Sequence, residues 1–267
     1  MRIQLLSDLH LEFERDESGS SFMMWLDPSN VDVLVLAGDI CSQRQLHDVL
    51  ADFCRLYPHV VYVVGNHEFY GSTRDIVYQK LGRVAAKLPN LHWLDCSSVE
   101  IEGVRFLGAP MWFRCHPTNF VWEGMMNDFN VILDDFRAWV YRDNQHALEF
   151  FDREMREGDI VVTHHLPTFQ SVSPRFRGSA LNAFFVCDVE QMMMNKRPAL
   201  WMHGHTHDSC DYNVPVAGNN TGSTHVVCNP RGYWPDNLNP EFRNNLIIEL
   251  PTVRQGSEEL LEPTDKP

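Results

Sequence analysis

Three apolar runs of strand length, with amphipathic stretches between them, constrain this chain more than any other feature. Residues 2–6 (RIQLL) are β-prone, 31–37 (VDVLVLA) make an almost continuous apolar run, and 60–64 (VVYVV) make a third. Runs this short and apolar suit strands covered on both faces. Between the second and third, Leu46, Val49, Leu50, Phe53 and Leu56 recur at helical spacing, and Ile76, Val77, Leu81, Val84 and Leu88 do so after the third. Such β-α-β alternation builds a largely parallel sheet covered by helices. Further strands are predicted at 104–108, 160–163, 199–203, 224–228 and 246–250. A chain of 267 residues with 44% hydrophobic content buries a substantial core, and an α/β architecture of that length forms one domain. The expectation is one domain over 1–254, with a mostly helical insertion around 111–158 and a flexible tail at 255–267, where charge and proline collect.

The formal net charge of -14 disfavours non-specific binding to nucleic acid or to an anionic membrane surface. The N-terminus lacks the pattern of a secretory signal, and no stretch approaches the roughly 20 apolar residues of a membrane span. A soluble, cytoplasmic protein is therefore expected. Seven scattered cysteines with no C-x-x-C pair fit reduced thiols in or near the core better than a disulfide framework or a zinc knuckle.

Polar residues follow the apolar runs in a recurring way. The first run leads into Ser7-Asp8-Leu9-His10, the second into Gly38-Asp39, and the third into Gly65-Asn66-His67-Glu68. The run at 160 leads into His164-His165, and the run at 199 into WMHGHTHDS. In α/β sheets the C-terminal edge of the strands is where ligands bind. An aspartate after a strand is often a turn former, and a lone histidine is often a core residue. Three imidazoles within five residues, His203, His205 and His207, are harder to dismiss, because imidazole is the commonest nitrogen ligand of transition metals.

The ordered blocks DLH, GD, GNHE, THH and GHTH, spanning Asp8 to His207, resemble those of the calcineurin-like metallophosphoesterases. The flanking phrases LLSDLHLEF, VVGNHEFYG and VVCNPRGY are similar to those of a bacterial-type group of small phosphoesterases. The resemblance implies an α/β fold in four layers, an α/β/β/α sandwich of two packed mixed sheets flanked by helices. It further implies two divalent transition-metal ions, one held by Asp8, His10, Asp39 and His207 and the other by Asp39, Asn66, His164 and His205, with Asp39 bridging. Mixed oxygen and imidazole ligands suit manganese, iron or zinc rather than calcium, and manganese is the first expectation.

The implied activity is hydrolysis of a phosphodiester or phosphomonoester on a small organic substrate. Such ions can bring the pKa of water from about 15.7 toward about 7, so a metal-activated hydroxide would attack phosphorus in line with the leaving oxygen. That oxygen needs a proton, and His67, next to Asn66, is the expected general acid; the alternative is that it only orients Asn66. His165 competes with His164 for the ligand role, and the family pattern favours His164. His203, outside G-H-x-H, is expected to orient a ligand or fill core. Glu68 is expected to support its loop. Arg231, in NPRGY, is expected to bind substrate phosphate, with a plain salt bridge as the alternative. Arg175 and Arg177 are read as solvated loop residues; Trp112, Phe113 and Phe120 as packing of the insertion rather than an aromatic wall over the site; and Met192 to Met194 as a core-filling helix face.

A phosphoprotein phosphatase is the nearest alternative, since that branch shares GNHE. Two departures weaken it: the branch's G-D-x-V-D-R-G block reads Gly38-Asp39-Ile40-Cys41-Ser42-Gln43 here, and Val64 stands where an arginine precedes GNHE. A non-catalytic metal-binding scaffold is a second alternative, weakened because every expected ligand is present. A nuclease would want a basic stripe with interleaved aromatics, and none stands out.

Overall fold

Alternation along the strands sends side chains to two layers of core at once. The structure is a computed structural model that describes residues 1–14, 19–218 and 221–250. In it β1 (Arg2–Leu6), β2 (Val33–Ala37), β3 (His59–Val63), β4 (Leu91–Trp93) and β13 (Ile247–Glu249) form one sheet in the order β13-β1-β2-β3-β4. A second sheet joins β5 (Ser97–Ile101), β6 (Val104–Ala109), β7 (Ile160–Thr163), β8 (Leu200–His203), β9 (Cys210–Pro215) and β10 (Ser223–Cys228) in the order β5-β6-β7-β8-β10-β9. The strands β1 to β4 run parallel, as do β6, β7, β8 and β10, while β13, β5 and β9 are antiparallel edges. A small ribbon pairs β11 (Gly232–Tyr233) with β12 (Asn237–Leu238).

Between the sheets, Ile3, Leu5, Val33, Val35, Val61 and Val63 meet Phe106, Ile160, Val162, Leu200 and Met202. The intervening residues Leu6, Leu34, Leu36, Val60 and Tyr62 cluster instead with helices α1 (Leu46–Leu56) and α2 (Arg74–Ala85). Leu107, Val161, Trp201 and Val226 do the same with α3 (Phe136–Glu154) and α4 (Glu190–Lys196). The result is the four-layer α/β/β/α sandwich. Leu46, Val49, Leu50 and Phe53 are buried on α1, each contributing about 1.5–3 kcal/mol relative to an exposed position.

Several elements differ from the sequence expectation. The strands β4, β5 and β9 carry no apolar run; β5 and β9 alternate between half-buried and exposed residues because they are edges. Leu56 and Ile76 are 39% and 46% exposed despite their place in the apolar stripes. On α2 the buried line is Val77, Leu81 and Val84, and Ile76 is turned about 100° from it. The 111–158 segment is anchored in the main core, since Trp112, Phe113, Phe136 and Trp139 cluster with residues of β2 and β3, whereas Phe120 is exposed. Met193 is buried on α4, flanked by the partly buried Met192 and Met194. All seven cysteines are free thiols, and Cys115 is exposed rather than in the core. The tail expected at 255–267 lies outside the described residues. Among the described residues, no helix is long and apolar enough to cross a membrane.

Candidate metal centre

Each expected ligand sits where the chain leaves the C-terminal end of a parallel strand. Asp8, His10, Asp39, His205 and His207 all adopt left-handed backbone, with φ between 47° and 70°. A non-glycine residue in that region costs of order 1–3 kcal/mol and persists only where its surroundings hold it there. What holds these turns is a set of cross-loop bonds. Asp8 N–H donates to Gly38 O at 3.0 Å, His10 N–H to Asp39 O at 3.1 Å, and Gly204 N–H to His164 O at 3.0 Å. Glu68, fully buried, accepts from the backbone N–H groups of Asp39 (3.1 Å), Ile40 (2.8 Å) and Gly65 (2.8 Å) and from the Tyr62 hydroxyl (2.9 Å). It thereby joins the loops after β2 and β3.

The side chains converge as two groups that share Asp39. In one, ligand atoms of Asp8, His10, Asp39 and His207 lie within 4.8 Å of one another; in the other, those of Asp39, His164 and His205 do. His10 Nε2 and His207 Nε2 are 3.0 Å apart, and His207 Nε2 is 3.5 Å from Asp8 Oδ1. On the other side, His164 Nε2 stands 3.0 Å from Asn66 Oδ1 and 3.5 Å from Asp39 Oδ2, while its Nδ1 donates to Ala37 O at 2.9 Å. That last bond presents Nε2 to the centre, as ligating histidines require. His205 Nε2 is buried with no protein partner. Its backbone N–H donates to both Asp8 oxygens, at 2.9 and 3.0 Å.

Glycine is required where backbone passes close to these ligands. A Cβ on Gly65 would stand 2.1 Å from Asp39 Oδ1, and one on Gly204 2.6 Å from Asp8 Oδ2. Electrostatics match the geometry. Burial pushes the Asp8 and Asp39 carboxyls up, but the surrounding histidines outweigh it and hold both below the usual carboxylate range. Burial also opposes a charge on His164, yet the facing Asp39 carboxylate overrides it and lifts the imidazole to about 10, so a cation bound here would take the place of that proton beside the same carboxylate. Burial keeps His10 and His205 low, hence neutral and fit to ligate. Convergent carboxylate oxygens, an amide oxygen and imidazole nitrogens, among them the buried His205 Nε2 that meets no protein partner, thus fit transition-metal ions.

Residues that sequence reasoning missed complete the setting. Asp128, from the 111–158 segment, accepts from Asn66 Nδ2 at 2.9 Å and from the Tyr70 hydroxyl at 2.7 Å, which turns Asn66 Oδ1 toward the centre. Glu12 Oε1 lies 3.3 Å from His67 Nδ1 and 3.4 Å from His10 Nδ1. Burial raises the Glu12 carboxyl, but the His10 and His67 hydrogen bonds prevail and bring it to about 2. His67 stacks on Tyr70 with ring centroids 4.1 Å apart and directs Nε2 at the Tyr233 hydroxyl, 3.0 Å away. Burial works against protonation of His67, and the charges of Asp39 and Glu12 overcome it. Asp128 belongs to no motif spacing, whereas Glu12 lies within LLSDLHLEF and Tyr233 within VVCNPRGY, phrases that assign neither of them a role.

A cavity of about 420 Å³ opens over the centre, floored by Asp39, Asn66, His67, His205 and His207. Arg231 does not line it. Its guanidinium ion-pairs with Glu14, donates to Leu9 O at 3.3 Å and lies 4.6 Å over the Phe22 ring, so the salt bridge, not the substrate contact, is what the structure places there. Among the described residues, Arg175 is the only arginine or lysine on the cavity wall, where it donates to Asp208 Oδ2 at 3.1 and 2.8 Å. Arg177 is exposed and lines a different cavity. His165 points behind the centre, its ring 5.1 Å from that of Trp112 and 4.3 Å from that of His205. His203 turns away toward Ser171 and Cys210.

Residues 1–209 match the family described as calcineurin-like phosphoesterase. The chain is 24% identical over 265 residues to the uncharacterized protein L509 of Acanthamoeba polyphaga mimivirus, covering 84% of this chain and 92% of that one. It is 25% identical over 253 residues to the lariat debranching enzyme of Drosophila melanogaster, covering 83% of this chain and only 45% of that enzyme. Among solved structures, the phosphopantetheinyl hydrolase of Mycobacterium tuberculosis superimposes with a TM-score of 0.67 at 14% identity, over 86% of this chain and 89% of that one. A dimetal phosphatase from Danio rerio gives 0.51 at 14% identity, over 87% and 88%. At such identities the structural likeness shows a shared fold.

Proposed function

Since this chain belongs to the calcineurin-like phosphoesterase family, metal-dependent hydrolases of phosphate esters, we propose that it cleaves a small phosphodiester at a dinuclear centre. Asp8, His10, Asp39 and His207 would hold one ion and Asp39, Asn66, His164 and His205 the other. The observation that carries this reading is the sharing of Asp39 between two groups of converging donors at the floor of one cavity. When bound, such ions, manganese first and then iron or zinc, supply Lewis acidity that neutralises phosphoryl charge and makes water a competent nucleophile near neutral pH.

The protein's own residues do the rest. Asp128 holds the Asn66 amide so that its oxygen faces inward. Glu12 accepts from His67 Nδ1 and orients the ring so that Nε2 meets the cavity. From there His67 donates a proton to the departing oxygen. Tyr233, beside Nε2, keeps that nitrogen directed until substrate arrives.

A diester is favoured over a monoester by the walls. A doubly charged monoester is best gripped by several cationic forks, whereas this cavity offers Arg175, already engaged by Asp208, and the acidic Asp128. The apolar surface of Met125, Met126, Leu181 and Phe185 suits an organic substituent. The same scarcity of arginines counts against a phosphoprotein phosphatase. The test is hydrolysis of bis-p-nitrophenyl phosphate against p-nitrophenyl phosphate by metal-stripped protein, with manganese, zinc, iron or magnesium restored in turn. Metal-restored turnover preferring the diester is expected, lost in Asp39→Ala together with bound metal. Undiminished turnover in Asp39→Ala would sink the dinuclear reading, and monoester preference would sink the choice of diester.

A further inference from the structure

We propose that His203, Cys210 and Cys228 form a second metal site, sharing no ligand with the catalytic centre, that takes a single thiolate-preferring divalent ion of the zinc type. No short sequence spacing announces these residues; strand register assembles them. Cys228 on β10 lies directly opposite His203 on β8 and directly opposite Cys210 on β9. Laterally paired residues of one sheet project from the same face. One imidazole and two thiols therefore form a transverse row across three strands, with their ligand atoms within 4.8 Å of one another.

The spacing suits an ion. His203 Nε2 stands 3.4 Å from Cys210 Sγ, and a tetrahedral zinc ion with Zn–S near 2.3 Å and Zn–N near 2.0–2.1 Å sets those atoms about 3.5 Å apart. His203 Nδ1 donates to Gly204 O at 2.9 Å, which leaves Nε2 as an acceptor facing Ser171 Oγ and Cys210 Sγ, the orientation that ligating histidines take. Ser171 Oγ, 2.9 Å from His203 Nε2 and 3.8 Å from Cys210 Sγ, stands at the remaining corner.

Charge and access agree. Two thiolates and a neutral imidazole make a neutral complex with a dication, so the buried ion would carry no net charge. The hydrogen bond from the Cys228 thiol brings Cys210 down to about 5 against the effect of burial, while burial and the same bond push Cys228 well above the usual thiol range, so an ion bound here would displace the Cys228 proton. Thiolate donors select zinc over the harder cations. A surface cavity of about 320 Å³ reaches Ser171 and Cys210 and gives a route from solvent. Cys228 Sγ also touches Gly204 O and Asp208 O, at 3.9 and 3.8 Å. An ion here would brace the 204–208 loop that carries His205 and His207, a structural role separate from hydrolysis.

Cobalt distinguishes this site from the other, because thiolate ligation gives an intense near-ultraviolet sulfur-to-cobalt charge-transfer band that nitrogen and oxygen ligands cannot produce. The full chain, stripped with a chelator and kept reduced, is titrated with cobalt and then with zinc. The expected result is a charge-transfer band that zinc abolishes, that survives in Asp39→Asn, and that is lost in Cys210→Ser and Cys228→Ser. No band in the folded, reduced wild-type chain would overturn the proposal, whatever the variants do. So would a band of full intensity in both cysteine variants, or a Cys210–Cys228 disulfide found by peptide mass mapping of protein isolated without oxidant.

Discussion

At the scale of single residues, the loops at the sheet edge depend on one carboxylate and one missing side chain. Glu68 accepts three hydrogen bonds from the loops after β2 and β3 and a fourth from the Tyr62 hydroxyl on β3, and burial with the nearby Asp39 charge lifts its carboxyl to about 7. Glu68→Gln replaces an acceptor oxygen with a donor that faces other donors. Leaving buried donors unmet costs about 1–3 kcal/mol each, so urea unfolding should show a loss of about 2–4 kcal/mol and metal-restored turnover should fall with it. Gly65→Ala would drive a methyl into Asp39. Displacing a reactive group by an ångström can cost about 100-fold, and a loss of at least that size in kcat/KM is expected while the circular dichroism spectrum stays native. His67→Asn removes the proton donor while sparing every proposed ligand; turnover should drop about 10²–10⁴-fold with metal content unchanged by elemental analysis. The motif residues were legible because each block is a few residues long and follows an apolar run. Arg231 was legible as a guanidinium near the edge, but not in its partner: Glu14 lies in a distant part of the chain.

Elements decide which strands a reader can find. Central parallel strands, covered on both faces, read as apolar runs, whereas β5 and β9 meet solvent on one side and dilute that signal. The 111–158 segment shows the same limit for function. Its short turns after Thr118 gave little periodicity, yet they deliver Asp128 to Asn66. Asp128→Ala should therefore weaken metal affinity about 10–100-fold, measured as the metal concentration for half-maximal activity of stripped protein. An unshifted midpoint would remove Asp128 from the argument. On α2, Thr73 caps the helix by accepting from Ile76 N–H; Thr73→Ala should cost about 0.5–2 kcal/mol without altering turnover, a control for the variants above.

At the scale of the whole molecule, two sheets bring their C-terminal edges to one place. The first supplies Asp8, Asp39 and Asn66, the second His164, His205 and His207, so ions held between them would link the two halves of the sandwich. Manganese at about 100 times its Kd should stabilise the chain by about 2.7 kcal/mol, which for a domain of this size is a rise in Tm of about 5–10 °C. Thermal unfolding of stripped protein with and without metal checks it, and Asp39→Ala should abolish most of the shift. By itself the sequence determined the β-α-β order, the core stripes and the five blocks of chemistry-bearing residues, because backbone periodicity and short spacings are local. Only the tertiary structure decided that His164 rather than His165 faces Asp39, that Glu12 and Asp128 stand behind the site, that Arg231 is tied to Glu14, and that His203, Cys210 and Cys228 share a row. Those are consequences of strand register and of how two sheets are laid together, and register joins residues whose separation along the chain carries no local signal.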